Sequence, residues 1–235
     1  MSLQAKNIAK QFTHPEPLSL LKGIDLTVEK GQTVAIMGRS GEGKSTLLQI
    51  LGTLDTPSGG SLMIAGQEAT SRNLSHIRNR HIGFVFQSFH LLEDYTVLQN
   101  ILMPARIARM PTRKGSAAYL RGIDLLHKVG LSHRIDHFGK QLSGGEKQRA
   151  AIARALCNDP DILFADEPSG NLDHKTAEGI HSLLMDFAHE GGKSLILVTH
   201  DQELAGLCDA LYTLKQGILE PSPRANSPVL TQTHS

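Results

Sequence analysis

The octapeptide Gly38-Arg39-Ser40-Gly41-Glu42-Gly43-Lys44-Ser45 stands between the apolar run Thr33-Val34-Ala35-Ile36-Met37 and a segment with helical character. No other stretch of the 235 residues restricts the fold so tightly. Its glycines let the backbone curl until successive N–H groups converge on one point, and the following helix brings the positive end of its dipole there. The spacing G-x-x-x-x-G-K-[ST], set between strand and helix, is that of a cradle for phosphate oxygens. Lys44 would bridge the terminal phosphates and the Ser45 hydroxyl would ligate Mg²⁺, with Thr46 beside it. An ordinary glycine-rich turn is the bland alternative, and the strand–loop–helix placement argues against it.

Further apolar runs recur along the chain: Ile82-Gly83-Phe84-Val85-Phe86, Ile162-Leu163-Phe164-Ala165 and Leu195-Ile196-Leu197-Val198. Continuous runs of strand length belong to parallel sheets covered on both faces. Between the last two, Ile180, Leu183, Leu184 and Phe187 follow the stripe of an amphipathic helix, which completes a βαβ crossover. The expected core is therefore α/β. Leu3–Phe12 and Leu20–Val28 alternate without a helix between them and predict an antiparallel edge subdomain. From Thr96 to Asn158 the composition is helical with no evident strand, the mark of an inserted helical subdomain. The Pro- and Ser-rich text after Gly217 reads as a disordered tail. The basic stretch Arg72–Arg80, with Arg78 inside it, reads as a solvated helix face.

Composition narrows the partners. A formal net charge of +1, 4% aromatic residues and no Trp give no general case for nucleic acid. No run approaches the roughly 18–20 apolar residues of a membrane span, and no signal peptide is visible at Met1–Lys10. Cys157 and Cys208 lie too far apart for a metal or redox motif and read as two small buried thiols.

Asp166-Glu167 follows the run Ile162–Ala165, at the carboxyl end of the sheet where open α/β folds bind ligands. Asp166 would hold Mg²⁺ through water, and Glu167 would act as general base on the attacking water. Leu142-Ser143-Gly144-Gly145-Glu146-Lys147-Gln148-Arg149 follows the helical region. Read locally it is a capping box, with Ser143 as N-cap and Glu146 three residues on. Such a helix end is also an anion site.

Together these three motifs resemble the ATP-binding cassette (ABC) ATPases, and the resemblance covers Leu3 to about Gly217. It implies an α/β P-loop NTPase core with a mostly parallel sheet, an N-terminal antiparallel β subdomain and an inserted α-helical subdomain. The implied boundaries are one domain over 1–220, with core segments 1–87 and 160–220 around the helical part 88–159, and a tail over 221–235. ATP and Mg²⁺ are the implied cofactors. By the family's pattern, Gly38 through Thr46 hold the phosphates, and Ser45, Gln87 and Asp166 hold the metal. Glu167, His200, Gln87 and Lys44 carry catalysis. Ser143, Gly144, Gly145 and Glu146 face the γ-phosphate bound to a second copy, and Asp173, ending Ser169-Gly170-Asn171-Leu172-Asp173, lies at that seam. His200 is one of 12 histidines, and only its order after the other motifs singles it out. Phe12 is the candidate to stack on adenine, though edge-strand packing accounts for it equally. Glu146 stands where glutamine is usual and Ser169 where threonine is common.

Longer stretches, among them Leu48–Gly60 and Ala165–Asp173, are similar to the branch serving lipoprotein-releasing and macrolide-efflux transporters. Within it a single short cassette resembles the lipoprotein-releasing type, which implies ATP hydrolysis that powers lipoprotein release from the inner membrane. A cassette of this kind implies a homodimer on the cytoplasmic face of the inner membrane. Membrane-spanning subunits would dock near Gln87 and Leu91–Asn100. Cell-division cassettes share most of these motifs and stay open as an alternative, as does macrolide-type efflux. A soluble, non-transport ABC protein fits less well, since the chain has one cassette and no long heptad region.

Overall fold

The computed structural model describes residues 1–13 and 17–223. Alternation at the start of the chain gives two strands, β1 (Leu3–Phe12) and β2 (Leu18–Val28), paired antiparallel with Leu3 opposite Val28 and Phe12 opposite Leu18. Then come β3 (Thr33–Met37), α1 (Lys44–Leu51), β4 (Gly59–Ile64), β5 (Gln67–Glu68), α2 (Leu74–His81) and β6 (Ile82–Val85). The helical part holds α3 (Val97–Ile101), α4 (Met103–Ile107), α5 (Ala117–Lys128) and α6 (Gly144–Ala155). The chain returns through β7 (Ile162–Asp166), α7 (His174–Gly191), β8 (Ser194–Val198), α8 (Gln202–Gly206), β9 (Ala210–Lys215) and β10 (Ile218–Pro221).

Two sheets result. One is antiparallel, in the order β2-β1-β4-β5; the other runs β10-β9-β3-β8-β7-β6. In the second, β9 through β6 are all parallel and only the edge strand β10 runs against its neighbour. The continuous apolar runs are explained by covers on both faces. Val34, Ile36, Ile162, Phe164, Ile196 and Val198 pack towards α1 and the antiparallel sheet. Ala35, Leu163, Ala165, Leu195 and Leu197 alternate with them and pack towards α6 and α7. On α7 the predicted stripe faces inward, with Ile180 and Leu184 buried and Leu183 and Phe187 packed against the same cluster.

The expected helical insertion holds no strand among its described residues, apart from a single bridge pairing Thr96 with Phe138. Serine and threonine hydroxyls open three of its helices: Thr96 caps α3, Ser116 caps α5 and Ser143 caps α6. The expectation of a wholly solvated basic face is corrected at one residue. Arg72 and Arg80 are exposed, but Arg78 is half-buried and donates to the Thr53 carbonyl. The tail expected from 221 onward is entered by β10, which includes Pro221, and Ser222 still hydrogen-bonds Thr213; residues 224–235 lie outside those described. Both cysteines are buried, and the Cys208 thiol lies 3.7 Å from the Leu204 carbonyl. Among the described residues no helix is long and apolar enough to cross a membrane.

Candidate active site

The loops after β3, β6, β7 and β8 leave the carboxyl ends of strands that share one sheet, and together they bound a cleft of about 500 Å³. Gly38, Ser40, Gly41, Gly43, Lys44, Ser45 and Thr46 form one wall, and Gln87, Glu167 and His200 the others. Leu20, from β2, closes the remaining side, and no sequence motif marks it as a site residue. Gly43 sits directly against it. Its φ of 95° is left-handed, and a Cβ there would lie 2.9 Å from Leu20 Cγ, so only glycine fits. Gly43 is the N-cap of α1 and has no side chain to cap with, so the first amides of that helix have no side-chain cap.

Within the loop, Lys44 Nζ donates to the carbonyls of Gly38 (2.9 Å) and Arg39 (3.0 Å). Ser45 Oγ donates to Asp166 Oδ1 at 3.0 Å. Burial pushes the Asp166 carboxyl above its ordinary value, and the charge of Glu167 adds to this, against the pull of Ser45 and Lys44. Ser45 and Asp166 thus offer two hard oxygen ligands side by side. Among the described residues no three or more His, Cys, Asp or Glu side chains gather around a point. That donor set suits Mg²⁺, which is held by one or two protein oxygens plus phosphates and water. Arg39 and Glu42 do not line the cleft; the Glu42 carboxylate accepts the Gln216 amide instead.

Glu167 is held in an unusual posture. Its φ is 45°, a left-handed conformation that costs a non-glycine residue about 1 kcal/mol or more, and its amide donates to the Val198 carbonyl at 2.9 Å. The carboxylate is thereby set 2.8 Å from His200 Nδ1, with the His200 amide 3.3 Å away. The glutamate side chain is 15% exposed and the imidazole 72%. Base and histidine candidates, 33 residues apart in the chain, are in contact.

The Ser143 turn lines no part of this cleft. Its capping box is complete: Ser143 Oγ accepts the Glu146 amide at 3.3 Å and Glu146 Oε2 accepts the Ser143 amide at 2.8 Å. Glu146 Oε1 accepts from Arg134 Nε at 2.8 Å, a partner the sequence did not suggest. Burial would raise the Glu146 carboxyl, but the Ser143 amide, Arg134 and the Ser143 hydroxyl together hold it down to about 2. Gly144 lies against Leu172, and a Cβ on Gly145 would meet Thr176, so the turn abuts the Ser169–Asp173 segment. Asp173 caps α7 through the Thr176 amide and hydroxyl, and these hydrogen bonds keep its carboxyl below the usual range. Phe12 stands apart from the cleft, 41% exposed, with Lys10 Nζ 5.5 Å above its ring.

A model of the ABC transporter family matches residues 21–170. The chain is 59% identical over 217 residues to the lipoprotein-releasing system ATP-binding protein LolD of Protochlamydia amoebophila, covering 92% of this chain and 95% of that one. It is 47% identical to the protein of the same name from Cytophaga hutchinsonii, over 92% and 98% of the two chains. Among solved structures it resembles the dimeric form of MJ0796, a bacterial ABC transporter cassette, with a TM-score of 0.86 and 37% identity over 96% of this chain and 100% of that one. MJ0796 has also been solved as a dimer in a post-hydrolysis state bound to ADP and Pi, and that form superposes with the same TM-score.

Proposed function

Because the chain belongs to the ABC transporter family of ATPases, we propose that it is the ATP-hydrolysing subunit of a transporter that releases lipoproteins from the inner membrane. One observation carries this reading: the cleft that joins Lys44, Ser45, Gln87, Glu167 and His200 stands in a chain alike, nearly end to end, to the Protochlamydia LolD protein. The chain works peripherally, on the cytoplasmic face, through membrane-spanning partners that dock near Gln87 and Leu91–Asn100.

In this reading ATP lies along the glycine loop, where amides at the start of α1 bond phosphate oxygens and the Lys44 ammonium exchanges the Gly38 and Arg39 carbonyls for them. Ser45 and Asp166, with Gln87, would hold Mg²⁺, which when bound would neutralise phosphate charge. Glu167 takes the proton of the attacking water, and its left-handed backbone aims the carboxylate into the cleft. His200 orients that carboxylate and meets the γ-phosphate. Phe12 offers its exposed ring to the adenine.

A second copy completes the site. The α6 helix end at Ser143, Gly144 and Gly145 faces the γ-phosphate held by the other protomer, and Asp173 lies at the seam. Nucleotide therefore favours the closed pair over separate copies, the differential affinity any coupled switch requires. Cleavage removes the γ-phosphate and with it the attraction.

The test is reconstitution. The chain is captured with its membrane subunits from detergent extracts, placed in proteoliposomes loaded with a lipoprotein, and given ATP. Release that needs ATP and stops on Lys44→Ala supports the proposal. Capture with a membrane partner whose complex turns over ATP but frees no lipoprotein overturns the substrate assignment and favours a regulatory cassette.

A further inference from the structure

The base of the Ser169–Asp173 segment is gripped by two buried side chains that no step above uses. Gln148, on α6, is fully buried and donates to the Pro168 carbonyl. His181, on α7, is 5% exposed and places Nε2 2.8 Å from Ser169 Oγ, itself 8% exposed. The same nitrogen lies 3.7 Å from Asp201 Oδ2. Asp201 directly follows His200, and its other oxygen caps α8 by accepting the amides of Glu203 (2.8 Å) and Leu204 (3.1 Å). The Asp201 amide in turn donates to Thr199 Oγ1 at 3.0 Å. One imidazole thus bonds the segment that follows Glu167 and abuts the residue that follows His200.

Packing alone does not account for this residue. Its neighbours on the inner face of α7 are Ile180, Leu184, Met185 and Ala188, all buried. An aliphatic side chain would fill that place without the desolvation cost of an imidazole. Burial holds His181 below its ordinary proton affinity, against the opposing charges of Asp201, Glu203 and Glu178. A neutral ring is then available to share one hydrogen bond with the Ser169 hydroxyl.

We propose that His181 is a positioning residue that fixes the Ser169–Asp173 segment against the loop carrying His200. Asp173 then reaches the seam and His200 the γ-phosphate in one concerted arrangement. The inference rests on the two-copy site proposed above. It makes the seam of the dimer and the chemistry of the cleft answer to a single buried contact.

The experiment keeps the two ideas separate. Glu167→Gln alone, in excess ATP, first reports whether copies pair at all by analytical ultracentrifugation; solitary copies would sink the two-copy reading and this inference with it. Given pairing, His181→Leu should fold with an unchanged or higher melting temperature and keep single-copy nucleotide affinity within about twofold, while kcat falls about tenfold. The same change in the Glu167→Gln background should weaken ATP-dependent pairing. His181→Gln, which still reaches Ser169 with a hydrogen-bonding group, should restore most of the activity. Ser169→Ala should match His181→Leu, and the double variant should be no worse than either single change. Should His181→Leu not fold, Ser169→Ala and His181→Gln carry the same comparison. Unchanged kcat in His181→Leu, no recovery in His181→Gln, or additive losses in the double variant would each overturn the proposal.

Discussion

Replacing Arg134 by glutamine removes the guanidinium that steadies the Ser143 turn through Glu146. Arg134 Nε sits 2.8 Å from Glu146, whose side chain is only 12% exposed. Held at about 2 instead of 4.5, the Glu146 carboxylate is stabilised by roughly 3 kcal/mol at most. That figure is shared among the Ser143 amide, Arg134 and the Ser143 hydroxyl. Arg134 is one-third exposed (33%), so water screens its share and about 1 kcal/mol remains. The folded value is depressed, so this stability is fully present above pH 4.5 and drains away as pH falls towards 2. At neutral pH, Arg134→Gln should lower the melting temperature by about 2–4 °C. The Glu146 carboxyl, followed by carbon-13 NMR, should titrate closer to its ordinary value. The variant also leaves the Glu146 charge without its guanidinium partner at the helix end that the proposed pairing sets against phosphate, so ATP-dependent pairing should weaken. Adding Glu146→Gln to Arg134→Gln should restore it. A carboxyl still titrating near 2 in the variant, or no loss of stability at pH 7, would refute this reasoning.

Three further outcomes are expected. Glu167→Gln should keep ATP binding but slow phosphate release by about 10²–10⁴-fold, the loss of a positioned base, and near-normal turnover would remove Glu167 from that role. Ser143→Arg should leave single-copy nucleotide binding intact and abolish ATP-dependent pairing on gel filtration; a variant that still pairs would count against the shared site. Gly83→Ala would put a Cβ 2.5 Å from the Ala155 carbonyl, so it should destabilise the chain by about 1–3 kcal/mol in urea melts, and an unchanged midpoint would show that the contact is slack.

The central sheet was legible because its information is local. β3, β6, β7 and β8 are apolar on every residue or nearly so, and only strands covered on both faces have reason to be. The stripe on α7 and the cap at Ser143 are likewise written within a few positions of each other. β4 is not legible in the sequence because Gly59-Gly60-Ser61 reads as a turn, and its strand exists through pairing with β1, fifty or more residues earlier. β9 and β10 form a half-buried edge hairpin turned by Gln216 and Gly217, too mixed in character to announce itself. At the site, residues carried by motifs were visible and residues defined by contact were not. Leu20 belongs to the cleft only because β2 folds over Gly43, Arg134 only because a loop returns to α6, and His181 only because α7 crosses beneath Ser169. No spacing rule links such pairs.

The close approach at Gly83 has a mechanical consequence. With no side chain between them, the end of α6 rests on the strand that leads to Gln87, and Arg154, from that same end, holds the carbonyls of Phe89 and His90. The far tip of the helix, about 18 Å away at 1.5 Å per residue, is Ser143. A push delivered to this loop would therefore act on the base of a continuous helix and reach, through its length, the tip that the proposed pairing sets against a neighbour's nucleotide.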